Sequence, residues 1–343
     1  MIKVTKNTSE LDNLKEDWDL LYNNDKESTP YQSFVFNKLH WGYWARPNDQ
    51  LYIITIYRQS DNVPLLLLPS YLDNKGNLRF ITELFGDFCS PLYNYRIEEE
   101  YNVFEELSDY ICNTKKISGF TFSNVKPGNP LCSYLNQRIN KSVCLSQNGY
   151  SYFDVNPVSK TESDAIITLS NAKDRNRVKK IVNKMGQVSY HIYPETTQME
   201  FPRMVVEDLM KEMINKGLRT ANYFSTSFKL FVEDLYKERL ICIITTEEEN
   251  VVRSASISFV SPKCNEYIQW LALYTEKQYN IWNILNLVNS LRHSEGGRVN
   301  FARGIYEYKN RNFRPRINNL MVIKYKKSNI KNKLSLFKFA LTH

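Results

Sequence analysis

The 343-residue chain is predicted to be an α/β protein with mixed sheets, arranged as two domains in tandem that share a cleft. Three observations lead there. The length exceeds what one core usually fills, so two cores of similar size are expected. Short apolar or alternating runs alternate with segments whose apolar residues recur at helical spacing. The order of two helices, three antiparallel strands, a helix and a strand then comes round twice, although no residues match between the rounds. The polar, proline-bearing stretch Asn156-Pro-Val-Ser-Lys-Thr-Glu-Ser163 places the boundary, giving domains 1–158 and 159–343.

Taken in order, residues 8–24 read as a helix capped by Ser9, with Leu11, Leu14, Trp18 and Leu21 as its inward stripe. Thr29-Pro-Tyr-Gln opens a second helix carrying Phe36, Leu39, Trp41 and Trp44, and polar Tyr31 and Gln32 at its start are expected to look into a cleft. Strands follow at 51–57, 63–72 and 78–82. The loop Gly86-Asp-Phe-Cys-Ser-Pro91 comes next, where Asp87 reads equally as a turn former or as a binder of a hydroxyl or amine. A helix (99–113), a strand (118–125) and a helix and strand reaching Val155 close the first half.

The second half opens with a helix over 165–185 that places Lys173, Arg177 and Lys180 on one face and Val178, Ile181, Val182 and Met185 on the other. That basic face is either solvated or a phosphate site. A strand to Tyr193, helices at 200–216 and 225–238, and strands at 240–246, 251–260 and 266–274 follow. A helix over 279–294 then carries Ile281, Ile284, Leu285, Val288 and Leu291.

Composition narrows the function classes. Hydrophobic content of 42% is ordinary for a soluble protein, and no apolar run approaches the roughly 20 residues of a membrane span. The first residues lack a signal peptide's apolar core, so a cytoplasmic location is expected. Cysteines 89, 112, 132, 144, 242 and 264 show no CxxC pair, and four scattered histidines give no HExxH; buried free thiols and no metal are expected. From Arg298 onward there are twelve Lys/Arg against one Glu, in a chain of net charge +8, so the first 297 residues are net negative. A basic end points to an anionic partner: phosphates of a nucleotide-linked substrate, tRNA, or an acidic membrane face approached peripherally. The tail 331–341, with Leu334, Phe337 and Leu341 at helical spacing, would alternatively dock on its own protein.

The stretch that promises chemistry is Arg298–Phe313. Val299 and Phe301 share one face of a short strand, Gly304 ends it, and Glu307, Tyr308, Lys309, Arg311 and Phe313 follow within a few positions. A carboxylate, a phenol and an ammonium just past a strand's carboxyl end lie where open α/β sheets tend to bind ligands.

Strand, helix, strand, then Asn300-Phe301, Gly304, Tyr308-Lys309 and Phe313 resembles the closing part of GNAT-superfamily acyltransferases. The likeness is greatest to the CelD-like branch related to Fem-type aminoacyltransferases. The Pro30-Tyr31-Gln32 triplet before a Trp-bearing helix and the basic helix with Lys173 and Arg177 are similar to the same branch. The resemblance implies tandem GNAT-like domains that move an acyl group to an amine, on a nucleotide- or lipid-linked amino sugar or peptide precursor of envelope polysaccharide. Acyl-CoA, such as acetyl-CoA, is the first implied donor and aminoacyl-tRNA the second. It further implies Lys309 near the reacting carbonyl, with Tyr308 beside it, and Glu307 or Asp87 as the base. Lys173, Arg177 and Arg303 would hold anionic parts of substrate, and Tyr31, Gln32 and Gly304 would also bind substrate. Two departures stand out. The family's strand Asp is Asn300 here, and segment 274–282, where pyrophosphate would sit, has no glycine and carries Glu276. Such departures also fit a binding protein that holds RNA or an envelope precursor without transferring anything.

Overall fold

A computed structural model describes residues 1–94, 102–138, 143–157, 165–168, 172–184, 188–193, 200–261, 263, 265–292, 296–305 and 313–327. The chain forms two compact units, Met1–Gly149 with Asn319 onward, and Tyr150–Asn318. The second is therefore inserted in the sequence of the first, whereas the sequence reading cut the chain once, at 158.

In the first unit, β1 (Ile2–Thr5) leads to a 3-10 turn (Thr8–Leu14), α1 (Lys15–Asn24) and α2 (Phe34–Trp44). Leu11, Leu14, Trp18 and Leu21 are all buried, but Asn7 rather than Ser9 occupies the cap position. β2 (Gln50–Leu51) and β3 (Ile53–Tyr57) form one bent ribbon with β4 (Pro64–Leu68) and β5 (Ser70–Leu72), the turn being made at Asn62 in the left-handed conformation. Pro69 interrupts the ribbon where a proline removes a ladder donor. β6 (Asn77–Phe80), β7 (Leu92–Tyr93), α3 (Val103–Asn113), β8 (Gly119–Val125) and α4 (Pro130–Arg138) follow. The strand orders are β1-β3-β4-β7 and β2-β5-β6-β8, with β6 and β8 parallel.

Every residue of β3 and β4 is buried, as expected of strands covered on both faces. Ile53 and Leu67 pack with Trp18, Phe34 and Trp41 beneath α1 and α2. Ile54, Ile56, Leu66 and Leu68 point the other way, to Phe104, Leu107 and Ile111 of α3 and Leu135 of α4.

The chain then enters the second unit along β9 (Val143–Val155). A 3-10 turn (Ala165–Thr168), α5 (Ala172–Val182), β10 (Val188–Tyr193), α6 (Arg203–Asn215), α7 (Thr226–Lys237), β11 (Ile241–Glu248), β12 (Val251–Ser261), β13 (Glu266–Tyr274), α8 (Lys277–Arg292) and β14 (Gly297–Arg303) follow. The helix expected over 165–185 is described only as that turn and α5. Strand order is β10-β11-β12-β13-β14-β9, antiparallel except for the parallel β13–β14 pair. Ile281, Ile284, Leu285, Val288 and Leu291 of α8 pack with Ile244, Val299, Phe301 and Val178. On the opposite face Trp270 meets Phe228, Phe231 and Phe259.

β15 (Arg316–Lys326) carries the chain back to the first unit, where Met321–Lys326 pair antiparallel with Val125–Gly119 of β8. The sequence reading saw only a basic segment there, yet Leu320, Val322 and Ile323 are buried. The tail beyond, 331–341, lies outside the described residues.

Candidate functional site

Each unit contains one parallel strand pair that is paired at its start and then parts. In the second unit, pairing of β13 with β14 runs from Glu266↔Arg298 through Tyr267↔Val299 to Ile268↔Asn300 and stops. The start is pinned because Gly297 has no side chain: a Cβ there would meet the Asn265 carbonyl oxygen at 2.1 Å. The far end is turned aside by a bulge on the β9 side, where the register jumps between Asn300↔Tyr152 and Arg303↔Tyr150. Ala302 takes φ +58 there, and its N–H donates to Asn300 Oδ1 at 2.8 Å. An extra residue in one strand bends it and raises its twist, which opens a wedge between β13 and β14. At the root of the wedge, buried Asn300 donates through Nδ2 to buried Glu266 Oε1 at 2.9 Å. Arg303 and Gly304, the latter at φ +99, stand at the parted end of β14.

Beneath α8 the sheet presents polar residues where an apolar core is usual. Gln269 Nε2 donates to Ser256 Oγ at 3.0 Å and to Asn280 Oδ1 at 3.2 Å, and Ser254 Oγ donates to the Tyr279 carbonyl at 3.1 Å. Thr246 Oγ1 bonds Asn283 Oδ1. All of these side chains are buried, and Asn283 Nδ2 and Asn286 Nδ2 have no hydrogen-bond partner among the described residues.

The amino end of α8 is furnished with carboxylates. Tyr279 Oη donates to Glu248 at 2.5 Å, Gln278 bonds Glu276, and Arg253 Nε lies 3.9 Å from Glu248. Burial, together with the Glu248 carboxylate, pushes the Tyr279 phenol up to about 12, so it stays a donor. Lys216 Nζ donates to the Thr275 carbonyl at 2.8 Å.

The first unit repeats the parallel pair but stitches it shut. β6 and β8 pair at Asn77↔Gly119 and Leu78↔Phe120 only. Gly119 again allows close approach, since a Cβ would meet the Tyr325 carbonyl oxygen at 2.3 Å. Asn124, at φ +61, occupies the sixth position of its strand, as Ala302 does of β14. Its Nδ2 donates to the carbonyls of Gly86 (3.0 Å) and Glu83 (3.3 Å), and its own carbonyl accepts from Cys89 N at 2.9 Å. The loop carrying Asp87 is thereby sewn to β8.

Three predicted residues meet at this loop. Tyr31 Oη donates to Asp87 Oδ2 at 3.1 Å, and Gln32 Nε2 donates to the Phe88 carbonyl at 2.5 Å. Gln32 Oε1 accepts from both N and Oγ1 of Thr29 at 2.8 Å, a capping box at the 3-10 turn before α2. Expected at an opening, Tyr31 and Gln32 are enclosed, at 0% and 2% exposure. His40 on α2 lies in ring contact with Phe36, Trp44 and Phe85, and burial pushes its pKa down to about 3.

Of the basic set, Lys173 is exposed on α5, while Arg177 bonds Asp174 at 2.8 Å. Asp174 is buried and also pairs with Arg314 at 3.0 Å, so Arg177 and Arg314 converge on one carboxylate. Glu307, Tyr308 and Lys309 lie outside the described residues. Sequence reasoning missed Glu266, Gln269 and the α8 asparagines. Their signal was available: Asn280, Asn283, Asn286 and Asn289 recur every third residue, off the period of a solvated helix face. No group of His, Cys, Asp or Glu among the described residues could hold a metal ion.

Among the described residues, each unit thus carries a parallel strand pair that is paired at its start and then parts. Neither family models nor curated proteins give a match to the sequence. Solved structures do. A conserved protein of unknown function from Bacteroides thetaiotaomicron aligns over 95% of this chain and 100% of its own at 10% identity, with TM-score 0.55. L-PGS from Bacillus licheniformis aligns over 96% and 97% at 10% identity, TM-score 0.53. The C-terminal domain ascribed to a lysylphosphatidylglycerol synthetase from Agrobacterium fabrum aligns over 98% and 97% at 8% identity, TM-score 0.53. At such identities the likeness is one of fold. No described helix is long and apolar enough to cross a membrane.

Proposed function

We propose that the protein is an acyltransferase acting on an amino group, with its donor seated in the wedge between β13 and β14. The observation that carries this reading is the pair held at Gly297 and parted at Ala302. A parted strand edge leaves main-chain donors beside a slot into which an extended acyl carrier can thread. In the reaction the amine nitrogen attacks the acyl carbon, the bond to the carrier breaks, and the carrier leaves with a proton. Lys309, a few residues past Gly304, would stabilise the oxyanion and Glu307 would take the amine's proton, with Tyr308 between them. Arg303, Lys173 and Arg177 would hold anionic parts of the substrates. Asp87, held by Tyr31, remains proposed as a base or acceptor binder within the first unit. The acceptor class is an amino sugar or peptide precursor of the cell envelope, linked to a nucleotide or lipid.

Acyl-CoA is the first donor to test. The carboxylates of Glu248 and Glu276 at the start of α8 favour a second reading, in which the donor is aminoacyl-tRNA and no pyrophosphate sits there. The lysylphosphatidylglycerol synthetase likeness of fold accompanies that reading. Thermal shift with acetyl-CoA, CoA and aminoacyl-tRNA separates the two, because only a ligand of the folded state raises the melting point. Lys309→Ala is expected to lower kcat by about a hundredfold while donor binding is kept. A protein stabilised by none of these donors, and weakened only by removing Lys173 and Arg177 with steep salt dependence, would be a binder and not a transferase.

A further inference from the structure

In the second unit a cavity of about 220 Å³ lies between α6 and α7. Sites for drug-sized ligands run to roughly 300–1,000 Å³, so an occupant here is small. Val206 and Met210 of α6 and Val232 of α7, all buried, make its inner wall, and exposed Leu230 stands at its mouth.

Four charged side chains line the same cavity, in two pairs that cross from helix to helix. Arg203 pairs with Glu233, and one turn further along α6 Glu207 pairs with Lys229 at 3.7 Å. The turn runs forward on α6 and backward on α7, so each helix offers one cation and one anion. The signs therefore alternate around the opening and sum to zero. A lone charge placed among them is attracted and repelled in nearly equal measure, and it displaces one member of a pair without replacing it. A molecule carrying both charges finds a complement at each end.

The pairs can open at small cost. The Arg203 side chain is 55% exposed, and ion pairs of that exposure contribute little. Glu233, the most buried of the four, keeps Lys237 at 3.1 Å as a partner when Arg203 turns to a ligand. The acyl chain of a lipid suits the cavity poorly, since it would leave all four charges facing hydrocarbon.

We propose that this cavity binds a free α-amino acid with an apolar side chain. The carboxylate takes Arg203 and Lys229, the ammonium takes Glu207 and Glu233, and the side chain lies on Val206, Met210 and Val232. None of these residues has a role in the proposed transfer reaction, so binding here is read without turnover and stands or falls separately.

The test uses the full chain with free L-leucine, L-isoleucine and L-methionine, followed by saturation-transfer NMR and thermal shift. At least one of them is expected to bind saturably and to raise the melting point. Isocaproic acid lacks the ammonium, isoamylamine the carboxylate and glycine the side chain; each should bind at least about tenfold more weakly. Arg203→Gln and Glu207→Gln should each weaken the amino acid by about tenfold. The rise is taken against each variant's own unliganded melting point, so a mere loss of stability does not count. No binding by any of the three amino acids, equal binding of either singly charged analogue or of glycine, or variants that bind as wild type does would each overturn the assignment.

Discussion

Asn300 Nδ2 donates to Glu266 Oε1 across the first turn of the parallel pair, while its Oδ1 accepts from Ala302 N. One carboxamide thus ties two strands together and sets the bulge that separates them. An aspartate could accept from Ala302 but would turn a second anion toward Glu266.

Asn300→Asp is therefore expected to destabilise the protein by about 2–4 kcal/mol at neutral pH, since it replaces a donor with a like charge in a buried contact. Acid should relieve the loss, because one carboxyl takes a proton. Urea midpoints at pH 7 and pH 5 check this; equal losses at both would mean that the like-charge argument is wrong.

Tyr31→Phe removes the hydroxyl that donates to Asp87, a carboxylate only 7% exposed. A cost of about 1–2 kcal/mol is expected. Asp87→Asn should cost a similar amount if Asp87 is structural. A loss of transfer activity well beyond the change in folded fraction would give it a chemical role.

Gly297→Ala and Gly119→Ala should each cost upwards of about 2 kcal/mol, because the added Cβ would sit 2.1 Å from the Asn265 carbonyl oxygen or 2.3 Å from that of Tyr325. Gly128→Ala, with nothing near its Cβ, is the control. Denaturant midpoints of the three variants decide it.

His40 gives a pH signature of known sign. Its folded pKa is depressed to about 3, so between there and the ordinary histidine value of about 6.5 the unfolded chain binds a proton that the folded chain does not. The contribution is whole above about 6.5 and is lost as pH falls, by up to about 1.4 kcal/mol per unit. Glu83, pushed up to about 7 mainly by burial and opposed by Arg79, works in the other direction as pH rises. His40→Gln should flatten the acid limb relative to wild type; two parallel curves would refute the assignment.

Much of this could be read in the sequence, for reasons that differ by element. Leu11, Leu14, Trp18 and Leu21 announce a buried helical stripe, and β13 runs from Glu266 to Tyr274 as its alternation predicts. Ile2–Thr5 and Arg316–Lys326 were passed over because charged and polar residues break their apolar pattern, although backbone pairing and a few buried side chains suffice to hold a strand. The polar layer under α8 was hidden differently. Asn280 and Gln269 satisfy each other, so residues that look solvated one by one are buried together. The kinship of the two parallel pairs lies in a glycine and a left-handed sixth residue, Asn124 or Ala302, which share no side-chain chemistry.

Because the polypeptide leaves the first unit at Gly149 and returns at Asn319, synthesis finishes the inserted half first. The strand Arg316–Lys326 must emerge before the edge of Gly119–Val125 is covered. Until then an apolar ribbon edge is open to foreign pairing, the kind of exposure that chaperones guard against. A stop codon placed after residue 315 to trim the positive charge would thus strike the amino-terminal half hardest.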